Sequence, residues 1–121
     1  RESAAIYVTD HLLNDLALVH VYDPRVTAGS MYNDLNFLGS RSSEENDRML
    51  TVHDNPHDAC KDAHAIAVVT EWDEFKTLDW KRIFSSMKKP AFLFDGRNIL
   101  DHAALRKIGF KVYAIGKGEK M

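Results

Sequence analysis

Apolar residues along the chain follow two alternating periods. Ala5, Val8, Leu12 and Leu16 recur at three- and four-residue steps, with Ala4, Ile6 and Leu13 widening the stripe, and predict a helix from Glu2 to about Asn14. Leu18-Val19-His20-Val21-Tyr22 then reads as a strand rich in β-branched residues, ending at Asp23-Pro24. From Arg25 to Arg48 no period persists: two glycines, a serine-rich patch and mixed charges predict an irregular stretch, with Tyr32, Leu35, Phe37 and Leu38 as anchors for a short helix or packed loop. Regularity returns with a short strand at Met49–Val52 and a helix opened by Asn55-Pro56, with Asn as cap and Pro in the first turn. Ala65–Val69 is apolar throughout and predicts a buried strand; Trp72 and Phe75 follow as a helix-start pair, and Leu78–Met87 as a helix with Trp80, Ile83, Phe84 and Met87 on one face.

The run Ala91-Phe92-Leu93-Phe94 suits a strand covered on both faces, cut off by Asp95-Gly96 with glycine expected to supply an unusual φ. Asp101–Ile108 is a short helix closed by Gly109, and Phe110–Ile115 alternates as an edge strand does. Helices and strands thus alternate, which is the pattern of a parallel, doubly wound α/β sheet in one domain. The chain opens on a helix at Arg1, without a leading strand or an initiator Met, and is expected to be a fragment of a longer protein whose first strand lies upstream.

Composition adds exclusions. Of 121 residues, 45% are apolar and 28% charged, the balance of a soluble globular domain. A formal net charge of −2 argues against a protein that coats nucleic acid or an anionic membrane. No apolar run approaches membrane-spanning length. The single cysteine, Cys60, forms no internal disulfide and fits a reducing, cytoplasmic compartment.

The chemistry gathers at strand ends. Arg97 follows the Ala91–Phe94 strand, at the edge where open α/β sheets bind ligands, and a guanidinium there is shaped for a phosphate or a base or ribose edge; the plain alternative is a loop arginine paired with Asp95 or Asp101. Glu71 and Asp73 sit at the same edge and read first as helix-start acids, second as acid–base groups. Asp23 reads as a turn former before Pro24 more than as a ribose ligand, since no G-x-G-x-x-G accompanies it. Cys60 lacks a nearby base and reads as a packing residue. His53 and His57 have the i, i+4 spacing of a zinc pair, but Pro56 intervenes and no third ligand is evident, so no metal site is expected.

Four segments in order, R-E-S-A-A-I-Y-V, V-Y-D-P-R, T-E-W-D-E-F and F-D-G-R-N-I-L-D, carry a resemblance. The chain resembles, over essentially its whole length, the carboxyl-terminal UDP-binding domain of the UDP-glucose/GDP-mannose dehydrogenase family, and within it the animal enzymes that oxidise UDP-glucose. The resemblance implies a three-layer Rossmann-like parallel sheet with helices on both faces. It implies conversion of UDP-glucose to UDP-glucuronate with two NAD and water, an NAD-binding amino-terminal domain and a central helical part elsewhere in the same chain, and homo-oligomers of dimers assembling to a hexamer. The catalytic cysteine belongs to the amino-terminal part, so no catalytic residue is expected in these 121 residues. Two residues match the family's motifs: Arg97 as the arginine of F-D-G-R that contacts the UDP-sugar, and Arg1 as the arginine of R-E-S that reaches NAD. Glu71 and Trp72 match a signature read as structural, and Asn98 stands where animal members often carry a second arginine. GDP-mannose or UDP-N-acetylhexosamine enzymes are the alternatives within the family, and a stand-alone α/β binding, signalling or oligomerisation module the alternative outside it.

Overall fold

The computed structural model describes residues 4–15 and 17–114. It is an α/β structure in which every strand pairing is parallel, as the alternation of elements predicts and as a Rossmann-like domain requires. Chain contacts divide into two compact units between Ala59 and Cys60.

The first unit opens with α1 (Ala4–Asn14) and β1 (Val19–Tyr22). β1 pairs in register with β2 (Leu50–His53), Val19 opposite Leu50 and Tyr22 opposite His53. Ile6 and Leu13 of α1, together with Leu35 and Leu50, form its buried core, and Val19, Val21, Tyr32 and Val52 pack around them. Asp23 takes the turn role: its Oδ1 accepts the Arg25 backbone N–H at 2.8 Å.

The stretch expected to be irregular is instead two helices, α2 (Ala28–Leu38) and α3 (Ser43–Met49). α2 buries Met31 and Leu35 on one face, and capping sets the ends of both helices. Thr27 accepts from Ser30 N–H, Gly39 ends α2 at φ 72°, and Ser42 with Glu45 forms a reciprocal capping box. Arg41, between them, bonds Asp10 at 2.6 Å and Asn14 at 2.6 Å, tying the α2–α3 connection to α1. Its Nε also donates to fully buried Asn46, which donates in turn to Asn36. Burial of Asp10 raises its carboxyl and the hydrogen bonds from Arg41 and Ser40 lower it, with a net lowering.

In chain order, β2 is followed by α4 (Pro56–Cys60), capped by Asn55, which accepts from His57 N–H at 2.7 Å. Cys60 is partly buried, and burial pushes its thiol up to about 11. It is expected to alkylate with iodoacetamide at neutral pH about a hundredfold more slowly in the native protein than after denaturation, because only the thiolate reacts; equal labelling rates in the two states would contradict this placement.

The second unit is built on β3 (Ala65–Val68), β4 (Phe92–Asp95) and β5 (Lys111–Ala114), with β4 central and β5 at the edge, as its alternation predicts. Leu93 and Val112 stand opposite each other and are buried, as are Val68, Ile83 of α5 (Trp80–Ser86), Met87 just after it, and Leu105 of α6 (His102–Ile108). Phe110 meets Trp80 and Phe84 edge-on, with centroids 6.0 and 5.2 Å apart. The other face of β4 differs from expectation. Phe94 is 38% exposed and stacks on Tyr113, itself 47% exposed, so β4 is not covered on both faces. The segment begun by Trp72 and Phe75 is a 3-10 turn, Asp73–Thr77, and α5 starts only at Trp80, after Asp79 caps Arg82 N–H.

Candidate functional site

β3 and β4 are parallel and end together, Val68 opposite Asp95. The segments that leave them therefore run side by side, and this places two residues separated by 26 positions, Glu71 and Arg97, in contact. Arg97 Nε donates to Glu71 Oε2 at 2.9 Å, and Nη2 donates to the same oxygen. Nη1 makes no hydrogen bond to any described residue. The side chains are 44% and 55% exposed, so the pair adds little to fold stability. Asp73, the second acid expected at this edge, pairs with Lys76 at 3.3 Å instead.

The loop that presents Arg97 is built on Asp95, whose side chain is fully buried. Its Oδ1 accepts the backbone N–H of Arg97 at 3.2 Å and of Asn98 at 2.7 Å. Its Oδ2 accepts those of Ile99 and Leu100, each at 2.9 Å, and contacts His102 Nε2 at 2.8 Å. Burial raises the Asp95 carboxyl, but the hydrogen bonds from His102, Leu100, Asn98 and Arg97 outweigh it and hold the group below its ordinary value. One carboxylate thus satisfies four consecutive backbone donors in a loop that has no ladder to satisfy them.

Gly96 is required for a different reason from the expected φ. Its N–H donates to Val68 O at 2.9 Å, and a Cβ there would stand 3.0 Å from that same oxygen. The left-handed residue is Asn98, at φ 59°, a conformation asparagine tolerates better than arginine. Asp101 then caps α6 by accepting Ala104 N–H at 3.1 Å.

Arg1 lies outside the described residues. Cys60 is on α4, away from these loops in sequence, and its raised thiol is the opposite of an activated nucleophile. His53 does not pair with His57. Its Nε2 meets Nδ1 of His20 on the neighbouring strand at 2.8 Å, with the rings stacked at 5.1 Å. Among the described residues no three His, Cys, Asp or Glu side chains cluster as metal ligands, and no helix is long and apolar enough to cross a membrane. A shallow cleft of about 350 Å³ beside the loop is lined by Trp80, Ile99, Leu100 and the inner face of α6, with Lys76 and Asp101 at its polar positions; Arg97 and Glu71 do not line it. Asp95 and His102 escaped sequence reasoning as organisers of the site. The signal for Asp95 was an Asp before Gly at a strand end, a residue type that bonds backbone N–H groups just downstream; for His102 there was none.

A parallel α/β ladder with a built loop at its carboxyl edge, holding out a guanidinium, is of the class of open α/β domains that bind ligands at that edge. Comparison with known proteins narrows the class. Residues 1–102 match the UDP-glucose/GDP-mannose dehydrogenase family, UDP binding domain, and the chain belongs to that family. Similar proteins include UDP-glucose 6-dehydrogenase of Caenorhabditis elegans, 48% identical over 116 residues, which are 96% of this chain and 24% of the relative. The mouse UDP-glucose 6-dehydrogenase is 44% identical over 119 residues, 97% of this chain and 24% of the relative. UDP-glucose 6-dehydrogenase 1 of Glycine max is 45% identical over 126 residues, 97% and 26%. The chain therefore spans about a quarter of the length of the curated relatives it matches.

Proposed function

We propose that residues 1–121 are the UDP-sugar-binding domain of a UDP-glucose 6-dehydrogenase, and that Arg97 contacts UDP-glucose. The observation that carries the reading is the arginine itself: a guanidinium at the carboxyl edge of parallel strands, half exposed, with Nη1 unbonded to any described residue. Family membership and relatives named for UDP-glucose support the same substrate. The domain acts by position, fixing the nucleotide so that the sugar meets reactive groups supplied elsewhere in the protein. NAD is assigned to an amino-terminal domain of the same chain, with Arg1 reaching it, and the protein is assigned to the cytoplasm as a homo-oligomer of dimers, up to a hexamer. By itself the segment is inactive, since it contains no dinucleotide fingerprint and no activated thiol.

The test is Arg97→Ala in the intact protein, with UDP-glucose binding followed by calorimetry. Affinity is expected to fall by about 1.5–3 kcal/mol, the value of a charge-assisted hydrogen bond, with the melting temperature unchanged because the side chain is exposed. Unaltered affinity in a folded variant removes Arg97 from the site.

A further inference from the structure

We propose that Glu71 is a positioning residue for Arg97: it holds the Nε–Nη2 edge of the guanidinium, and so directs the opposite edge outward, before the ligand arrives. This rests on the reading of Arg97 as a contact to UDP-glucose. Glu71 takes Nε and Nη2 through one oxygen, which sets the direction in which that edge of the guanidinium points. What remains is Nη1 and the outer edge it shares with Nη2, turned away from the carboxylate. Nothing else in the loop does this work. The Asp95 carboxylate is occupied by four backbone N–H groups and His102, and touches Arg97 only through its backbone. An arginine without such an anchor samples many rotamers and must surrender them on binding. Fixing it beforehand raises affinity without adding a contact to the ligand.

Position in the chain agrees with the role. Glu71 lies three residues beyond Val68, and Arg97 two beyond Asp95, the pair that ends the β3–β4 ladder in register. Both side chains therefore spring from the same rigid edge. Both are half exposed, so removing the carboxylate leaves the fold intact, and any effect on binding reports on Arg97 and not on folding.

The experiment measures UDP-glucose affinity of the intact protein with Glu71→Ala, Glu71→Gln, Arg97→Ala and the double variant Glu71→Ala/Arg97→Ala, each checked by its melting temperature. Glu71→Ala is expected to weaken binding about fivefold, the upper value for an exposed pair. Glu71→Gln, whose amide oxygen still accepts both N–H groups, is expected to stay within about threefold of the parent. The double variant is expected to bind no worse than Arg97→Ala alone, since a positioner has nothing to position once the arginine is gone. Three results overturn the proposal. Unchanged or tighter binding in Glu71→Ala makes the carboxylate a bystander or a competitor for Arg97. An equal loss from Glu71→Ala with and without Arg97 makes it an independent contact. Unaltered affinity in Arg97→Ala removes the nucleotide-site reading itself and the positioning role with it, whereas a loss there beside a neutral Glu71→Ala removes the positioning role alone.

Discussion

Asp95→Asn is expected to destabilise the protein by about 3–5 kcal/mol, the cost of breaking a buried charge–hydrogen-bond network by changing one partner. The substitution keeps the side-chain volume, so no cavity contributes. What changes is acceptor capacity. The carboxylate receives two backbone N–H groups on one oxygen and two on the other, with His102 beside the latter. An amide has only one oxygen. Its NH2 must face donors, and at least one buried pair of backbone N–H groups then loses its partner. Denaturant unfolding followed by circular dichroism reads the loss, and a change below about 1 kcal/mol would show that water replaces the carboxylate.

The same network sets a pH dependence. The Asp95 carboxyl lies lower in the folded than in the unfolded protein, because its hydrogen bonds favour the anion more than burial opposes it. The unfolded chain therefore binds this proton first as pH falls. The contribution of Asp95 to stability is complete above the ordinary carboxylate range, near about pH 4–5, and is lost as pH drops through the lowered folded value. Asp95→Asn removes this component, so the difference in stability between parent and variant is expected to shrink on acidification. A difference independent of pH between neutrality and acid would assign the loss to packing instead.

Gly109→Ala is expected to cost about 2–4 kcal/mol, from backbone strain and overpacking together. Gly109 ends α6 at φ 133°, a conformation open to glycine and strained for any residue with a Cβ. The added carbon would also stand 2.5 Å from Phe84 Cζ and 2.9 Å from Cε1. Phe84 cannot yield freely, since its ring packs edge-on against buried Phe110 and carries Lys89 Nζ 4.5 Å from its centroid. The helix end, the start of β5 and the aromatic contact beneath them are therefore expected to loosen together. A drop in melting temperature with retained UDP-glucose binding at low temperature is the expected signature. A stabilised variant would mean that the turn adopts another conformation once φ is constrained.

Hydrophobic period located the strands of both ladders within about a residue or two of their ends, because a buried strand leaves an apolar run that few other structures need. It misjudged residues 25–48, where α2 carries a short stripe of Met31, Leu35 and Leu38 between its caps, and where α3 is set by its capping box and joined to α1 through the Arg41–Asp10 pair. The cues were local and present: Thr27, Gly39, and Ser42 with Glu45 three residues on. The coverage of β4 was misjudged for the opposite reason, since an apolar run states what a strand tolerates on each face and not what lies against it; Phe94 is left exposed.

Arg97 at the end of a strand, the alternation of helix and strand, and the family motifs were determined by the sequence alone. All three are written in contiguous residues, where chemistry depends on neighbours a few positions away. Only the tertiary structure decided that Glu71, read from its position as a helix-start acid, grips Arg97, that His53 meets His20 and not His57, and that Asp95 faces inward to hold the loop together. The first two depend on strand register across long sequence separations. The third depends on four backbone donors converging on one point, which no spacing of residue types records.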